Sequence, residues 1–154
     1  MSDFIVIEIG GKPEAKGRGR VGSVKSGGKT FATVFTPAHT RKYETRIRDA
    51  AAEAMKGRPP IEGAVSVVVK AFLLPPKSLT RKKLAAALKG EIAPLTKPDI
   101  DNYVKSALDG INNIVVRDDS QVTALYAAKA FSDVPRLRIE VHEIYKPNSL
   151  EEML

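Results

Sequence analysis

Apolar residues recur along this chain in two rhythms, one near period two and one near period 3.6, and the breaks between them delimit the elements. Phe4 to Ile9 reads F-I-V-I-E-I, a β-branched run that predicts a strand, stopped by Gly10-Gly11. Lys16 to Gly28 has no periodicity and is rich in Gly, Lys and Arg, so it reads as a mobile basic loop, with a hairpin through Val21 to Val24 as its one ordered option. Lys29 to Thr36 alternates as a second strand and Pro37 ends it. Thr40 then offers an N-cap for a helix from Arg41 to Met55, with Tyr43, Ile47, Ala50, Ala51 and Ala54 on one face. After a turn at Gly57 to Pro60, Ala64 to Leu74 (AVSVVVKAFLL) is the strongest strand, apolar enough to be central.

The second half continues the pattern. Ser78 or Thr80 starts a short helix, Arg81 to Leu88, whose Leu84, Ala85 and Leu88 are expected to face inward. Val104, Ala107, Leu108 and Ile111 space a helix over Ile100 to Ile111, with Asp101 as its N-cap and Asn112-Asn113 as its stop. Ile114 to Val116 reads as a short strand, Arg117 to Ser120 as a polar turn, and Gln121 to Phe131 and Arg136 to Ile144 as two further strands joined as a hairpin around Ser132 to Pro135. Strands before the first helix and after the last favour an α+β fold with a mixed β-sheet and helices packed against it, in preference to a regular βαβ series.

The chain has 154 residues, which suits one domain with its own core. That domain is expected over residues 1–146, with 147–154 a flexible acidic tail. No apolar run approaches the length of a membrane span, and the N-terminus shows no secretory pattern, so a cytoplasmic protein with no membrane partner is expected. There is no cysteine and only His39 and His142, both expected to be structural. A bound metal must therefore be held by oxygen, which favours Mg²⁺ or Mn²⁺, and nothing points to an organic cofactor.

Charge sharpens the picture. The formal net charge is +7, and the basic residues crowd into the N-terminal third, where Lys12, Lys16, Arg18, Arg20, Lys25, Lys29, Arg41, Lys42, Arg46 and Arg48 face only Glu14 and Glu44. A polyanionic partner fits this distribution. Within it, Lys16, Arg18 and Arg20 alternate with Gly17 and Gly19, so the backbone can follow a phosphate chain closely while the cations supply salt-dependent affinity. The bland alternative is a solvated charge run. Aromatic residues are sparse, at 6%, and there is no Trp, which argues against a base-stacking platform for single strands.

The acids gather instead between residues 99 and 119. Asp99 and Asp101 flank the start of a helix, and Asp118-Asp119 follow one helix and one short strand later, so a returning chain can bring all four together. Such a set could hold the Mg²⁺ that activates water and neutralises a scissile phosphate. Lys105, one turn beyond Asp101, could contact that phosphate. Each residue also has a structural reading. Asp101 can be only a cap, Asp101 or Asp109 can pair with Lys105 along the helix, and Asp118-Asp119 can be only a turn. Spacing alone leaves both readings open.

The stretch K-P-D-I-D-N-Y-V-K-S-A-L-D-G-I-N-N-I-V-V-R-D-D-S-Q-V, Lys97 to Val122, resembles the signature of the RusA family of Holliday-junction resolvases, D-x-D-N-x-x-K, then Leu-Asp, then D-D-x-Q-V. Lys129 also matches, and Gly11 to Arg20 and Phe35 to Glu44 are similar to the family's opening segments, so the likeness covers roughly residues 4 to 145. The resemblance implies a homodimer of mixed α/β fold, often encoded by phages or prophages, that binds four-way DNA junctions and cuts two opposed strands with Mg²⁺ or Mn²⁺. It implies that Asp99, Asp101 and Asp119 are the catalytic carboxylates, with Asp118 a further candidate ligand and Lys105 the essential lysine. Lys12, Lys16, Arg18, Arg20 and Lys129 are the expected DNA contacts. Two features depart from the family pattern: a slightly short connection before Asp118-Asp119, and the acidic extension Asn148 to Leu154. The competing readings are a non-catalytic phage-type DNA-binding protein and a metal-dependent nuclease for other branched DNA.

Overall fold

Nine-residue β4 organises the molecule, and the other elements are best placed relative to it. The computed structural model describes residues 4–17, 20–35 and 37–144, and in it the chain forms β1 (Phe4–Gly10), β2 (Arg20–Ser26), β3 (Lys29–Phe35), α1 (Ala38–Met55), β4 (Val65–Leu73), α2 (Arg81–Leu88), α3 (Ile100–Ile111), a single 3₁₀ turn (Asp119–Gln121), β5 (Val122–Phe131) and β6 (Arg136–Glu143). β1, β6, β4 and β5 make one four-stranded sheet in that order, while β2 and β3 pair only with each other. β4 runs antiparallel to β6 and parallel to β5, so the sheet is mixed and the fold is α+β.

The core follows from the alternation. Ile5, Ile7 and Ile9 of β1, Val65, Val67, Val69 and Ala71 of β4, and Leu137, Ile139 and Val141 of β6 are all buried on one face. Onto them pack Tyr43, Ile47, Ala51 and Met55 of α1 and Tyr103, Ala107 and Ile111 of α3, each set at four-residue spacing. Burying each large aliphatic side chain contributes about 1.5–3 kcal/mol as an upper estimate. This packing, rather than helix propensity, holds α1 and α3 in place. No helix among the described residues is long and apolar enough to cross a membrane.

Several sequence expectations change. β5 and β6 are not a hairpin. The four residues Ser132 to Pro135 resemble a hairpin loop, but β4, the most apolar strand, lies between the two and pairs with both. Ile114 to Val116 forms no strand and makes only isolated bridges, Val116 meeting Ile61 and Asn112. α1 begins at Ala38, and Thr40 is buried within it, where its hydroxyl accepts the Gly17 N–H at 3.2 Å instead of capping the helix. In α2 the buried residue is Ala87, while Leu84 and Leu88 are exposed. Within Lys16 to Gly28 the described residues take the hairpin option and not the mobile loop. The first two residues of that stretch are fastened to the body and Arg20–Ser26 is a strand of the β2–β3 ribbon. The acidic tail lies outside the described residues.

Candidate functional site

α3 and the turn that precedes β5 carry the acidic residues, and the chain fixes both firmly. The face of α3 turned inward holds Tyr103, Ser106, Ala107, Gly110 and Ile111, leaving Asp101 and Lys105 exposed. Its N-cap position is Asp99, not Asp101, although the Asp99 side chain makes no capping bond. Asp101 sits in the first turn, where the positive end of the helix favours a carboxylate. The segment before β2 runs across this helix. The Lys16 N–H donates to the Asn102 carbonyl at 3.0 Å, and the buried Ser106 hydroxyl donates to the Glu14 carbonyl at 3.0 Å.

The turn is fixed by one amide. The Gln121 side chain accepts from the backbone N–H of Arg117 (2.8 Å) and of Asp118 (3.0 Å), and donates to the carbonyls of Ile61 (2.7 Å) and Gly63 (2.9 Å). All of its main bonding capacity is used. Asp118 caps the 3₁₀ turn by accepting the Ser120 N–H at 3.0 Å, and hydrogen bonds from Ser120 hold its carboxyl below the ordinary range. With Gln121→Ala, stability is expected to fall by about 1–2 kcal/mol, the net value of a few such bonds. On the nuclease reading that the sequence resemblance implies, cleavage is expected to suffer more than DNA binding, because the change loosens where Asp119 points. A urea midpoint beside a kcat and KM comparison checks this, and a fall in binding alone would contradict it.

Asp119 is the electrostatically unusual member. It keeps contact with solvent, yet partial burial and then the negative charges of Asp109 and Asp118 push its carboxyl above the ordinary value. Asp109 lies two turns beyond Asp101 in α3, about 12 Å along the axis. Of the two charges acting on Asp119, one comes from the far end of α3 and the other from its own turn. Among the described residues no three carboxylates or histidines stand together as a ready-made metal cage, so the expected convergence of Asp99, Asp101, Asp118 and Asp119 is not formed. Asp99 is instead engaged by Lys97, at 2.7 and 2.8 Å, in an exposed pair that adds at most about 1 kcal/mol. The donor chemistry nevertheless fits a hard cation. Mg²⁺ commonly takes one or two carboxylates and completes its shell with water and substrate phosphate, and like charge crowded at Asp119 is relieved by a cation.

The cations divide into two groups. Lys105 is exposed and makes no hydrogen bond or ion pair among the described residues, so the helix pair with Asp101 or Asp109 does not form. Lys12 is exposed at the mouth of a cavity of about 360 Å³ that Leu73, Pro98, Tyr103 and Phe131 also line, immediately before Asp99. Lys16, expected on DNA, is turned inward instead. Its ammonium bonds Asp109 and lies 3.0 Å from Glu44, and the Asp109 bond, with that to Glu44, raises its pKa although burial opposes them. Lys129 is likewise drawn inward, donating to the carbonyls of Thr96 (3.1 Å) and Pro98 (3.2 Å), where it braces the approach to Asp99. Arg18 lies outside the described residues, and of Arg20 only the backbone, in β2, is described.

The Lys16 pairing has a direct consequence. Lys16→Ala leaves Asp109 and Glu44 partly buried without their cation, so a loss of about 1–3 kcal/mol is expected, between the values for exposed and fully buried pairs. Because the folded pKa is raised, this stabilisation is whole below the ordinary lysine value of 10.5 and is lost only as pH rises through the folded value. Denaturant midpoints of both proteins at neutral and strongly alkaline pH should therefore converge at the alkaline end. A constant difference would contradict the pairing.

Asp109 is the residue that sequence reading placed least well. Its partner lies 93 positions away, which no local spacing reveals, although Asp109 follows Leu108 in the motif already noted. A Bacillus subtilis (strain 168) protein, "Uncharacterized protein YqaN", is 37% identical over 146 residues, which cover 92% of this chain and 98% of that relative. The model of the family described as "Endodeoxyribonuclease RusA" matches residues 10–142, from the end of β1 through α3, the Asp118-Asp119 turn and most of β6, and the chain therefore belongs to the RusA endodeoxyribonuclease family.

Proposed function

We propose that this chain is a divalent-metal-dependent endonuclease that resolves four-way DNA junctions by paired nicks in opposed strands, serving recombination and repair. The observation that carries this reading is the family match across residues 10–142, together with the exposed acids and the unengaged Lys105 on one rigid helix and its neighbouring turn. Asp99, Asp101 and Asp119 are the proposed ligands, with Asp118 beside them. A bound Mg²⁺ or Mn²⁺ supplies charge neutralisation at the scissile phosphate and an activated water.

The protein's own groups do the rest. Lys105 donates to a phosphate oxygen as negative charge builds there. Gln121 keeps the turn in register with the 61–63 loop, so that Asp119 faces the same DNA strand throughout. Lys12, at the cavity mouth, is the described member of the expected DNA contacts that remains exposed. A homodimer with a twofold axis provides two identical sites, which two symmetric cuts require. The phage or prophage setting and a cytoplasmic location belong to this reading as well.

The substrate is tested by offering labelled four-way junctions, forks, flaps and linear duplex in Mg²⁺, with the molar mass in solution measured in parallel. Preferred paired cutting of the junction by a dimer is expected. Equal cutting of forks and flaps would replace the junction with branched DNA in general. A second reading, a junction-binding protein without cleavage, draws on the absence of a closed carboxylate cage among the described residues. It predicts binding with no cut strand on any of these substrates.

A further inference from the structure

The β2–β3 ribbon is unusual because it is well formed and has almost nothing to lean on. Its seven-residue strands pair in full register, from Arg20 opposite Phe35 to Ser26 opposite Lys29, and pack on no other element beyond a marginal touch. A two-stranded hairpin alone in water is marginally stable at best. This one also keeps its large apolar side chains in solvent: Val21 is 75% exposed, Val34 69%, Phe31 53% and Val24 51%. Val21 lies directly opposite Val34 on one face and Val24 opposite Phe31 on the other, so neither face is simply a polar surface. Such exposed apolar pairs mark a surface that a partner covers.

The charge of the ribbon selects the partner. From residue 20 to 35 the sequence holds Arg20, Lys25 and Lys29 and no acidic residue. Lys25 and Lys29 flank a two-residue turn, Gly27-Gly28, whose φ angles of 58° and 77° both lie in the left-handed region, as the tight hairpin turns that suit twisted strands require. A Cβ added at either glycine would meet nothing within 4 Å, so the tip is narrow and open. The ribbon projects about 23 Å, at 3.3 Å per residue. The DNA major groove, about 12 Å wide, admits a two-stranded ribbon, and its thymine methyl groups accept apolar contacts.

We propose that the β2–β3 ribbon is a DNA-binding arm that enters the major groove of one duplex arm of the substrate, with Lys25 and Lys29 on phosphates and the Val24–Phe31 pair against base edges. The assignment rests on the endonuclease reading for its substrate class, but it concerns residues away from the acidic turn. It adds contacts where Lys16 and Lys129 are turned inward.

The test is the salt dependence of junction binding, measured without divalent metal for the wild type, Lys25→Ala/Lys29→Ala and Val24→Ser/Phe31→Ser, with sedimentation of each. Losing two phosphate contacts per ribbon should flatten the slope of log K against log salt by about 1.8 for each ribbon engaged. The apolar variant should bind more weakly at unchanged mass. An unchanged slope in the lysine variant overturns the arm while leaving the nuclease reading intact. So does an apolar variant that loses self-association but binds DNA like the wild type, since the ribbon would then clasp a second copy of this chain. A wild type with no affinity for any DNA removes the endonuclease reading together with the arm.

Discussion

Asp119→Asn is expected to abolish cleavage and at the same time to make the protein more stable at neutral pH. Partial burial and the charges of Asp109 and Asp118 disfavour the ionised carboxylate, so the folded state holds the proton more tightly than the unfolded chain does. Its stabilising effect is therefore whole below the ordinary aspartate value of 3.8 and is lost as pH rises through the raised folded value. The amide removes that loss, and the melting temperature of the variant should exceed that of the wild type at neutral pH. The chemistry moves in the opposite direction. On the proposed function, losing this ligand to the metal forfeits several kcal/mol of transition-state stabilisation, at least about a thousandfold in rate. DNA binding should persist, since a negative charge facing a polyanion has been removed. Wild-type cleavage by Asp119→Asn would take this carboxylate out of the reaction, and a lower melting temperature would contradict the charge account.

The largest structural effects are expected where Gly110 of α3 meets Ile47 of α1. A Cβ built at Gly110 lies 2.2 Å from Ile47 Cγ2 and 2.6 Å from Ile47 Cβ, where α3 packs on α1. The Cβ of Ile47 cannot swing aside as the tip of a flexible side chain can, so the helices themselves must part. Overpacking of this kind costs about 1–3 kcal/mol and sometimes more. Replacing glycine within a helix returns up to about 1 kcal/mol. A net loss of about 1–2 kcal/mol is therefore expected for Gly110→Ala, and on the proposed function cleavage should fall as well, since α3 carries Asp101 and Lys105. Ile47→Ala alone costs about 2–5 kcal/mol by leaving a cavity, but in the Gly110→Ala background it also removes the closest contact, that with Cγ2, while the Cβ–Cβ approach at 2.6 Å remains, and it should cost less. Denaturant midpoints of the four proteins measure that coupling, and simple additivity would contradict the contact.

The parts of the fold that were legible in the sequence are those that local rules decide. The strand Ala64 to Leu74 and the helix Ile100 to Ile111 were placed to within a residue, because each has a clear rhythm and clear stops. The pairing of β5 and β6 was not legible. A four-residue connection looks the same whether it closes a hairpin or spans an intervening strand, and it was the apolar demand of β4 that decided the matter. For the candidate site, Asp99, Asp101, Lys105 and Asp119 stand out in the motif as candidates, whereas their surroundings do not. The contact of Lys16 with Asp109 and the bonds of Lys129 to Thr96 and Pro98 join segments far apart in the chain, and they convert expected DNA contacts into internal braces. The inward face of α3 also rests on Ser106 and Gly110, residues that a count of apolar positions passes over.

The most direct test of the account is single-turnover cleavage of a labelled four-way junction in Mg²⁺ by the wild type beside Asp101→Asn, with junction binding measured in EDTA. Paired nicks in opposed strands are predicted for the wild type, with loss of at least about a thousandfold in the variant and binding unchanged. A wild-type protein that binds the junction but leaves every strand intact in both Mg²⁺ and Mn²⁺ would contradict the account, and the chain would then be a structure-specific DNA-binding protein.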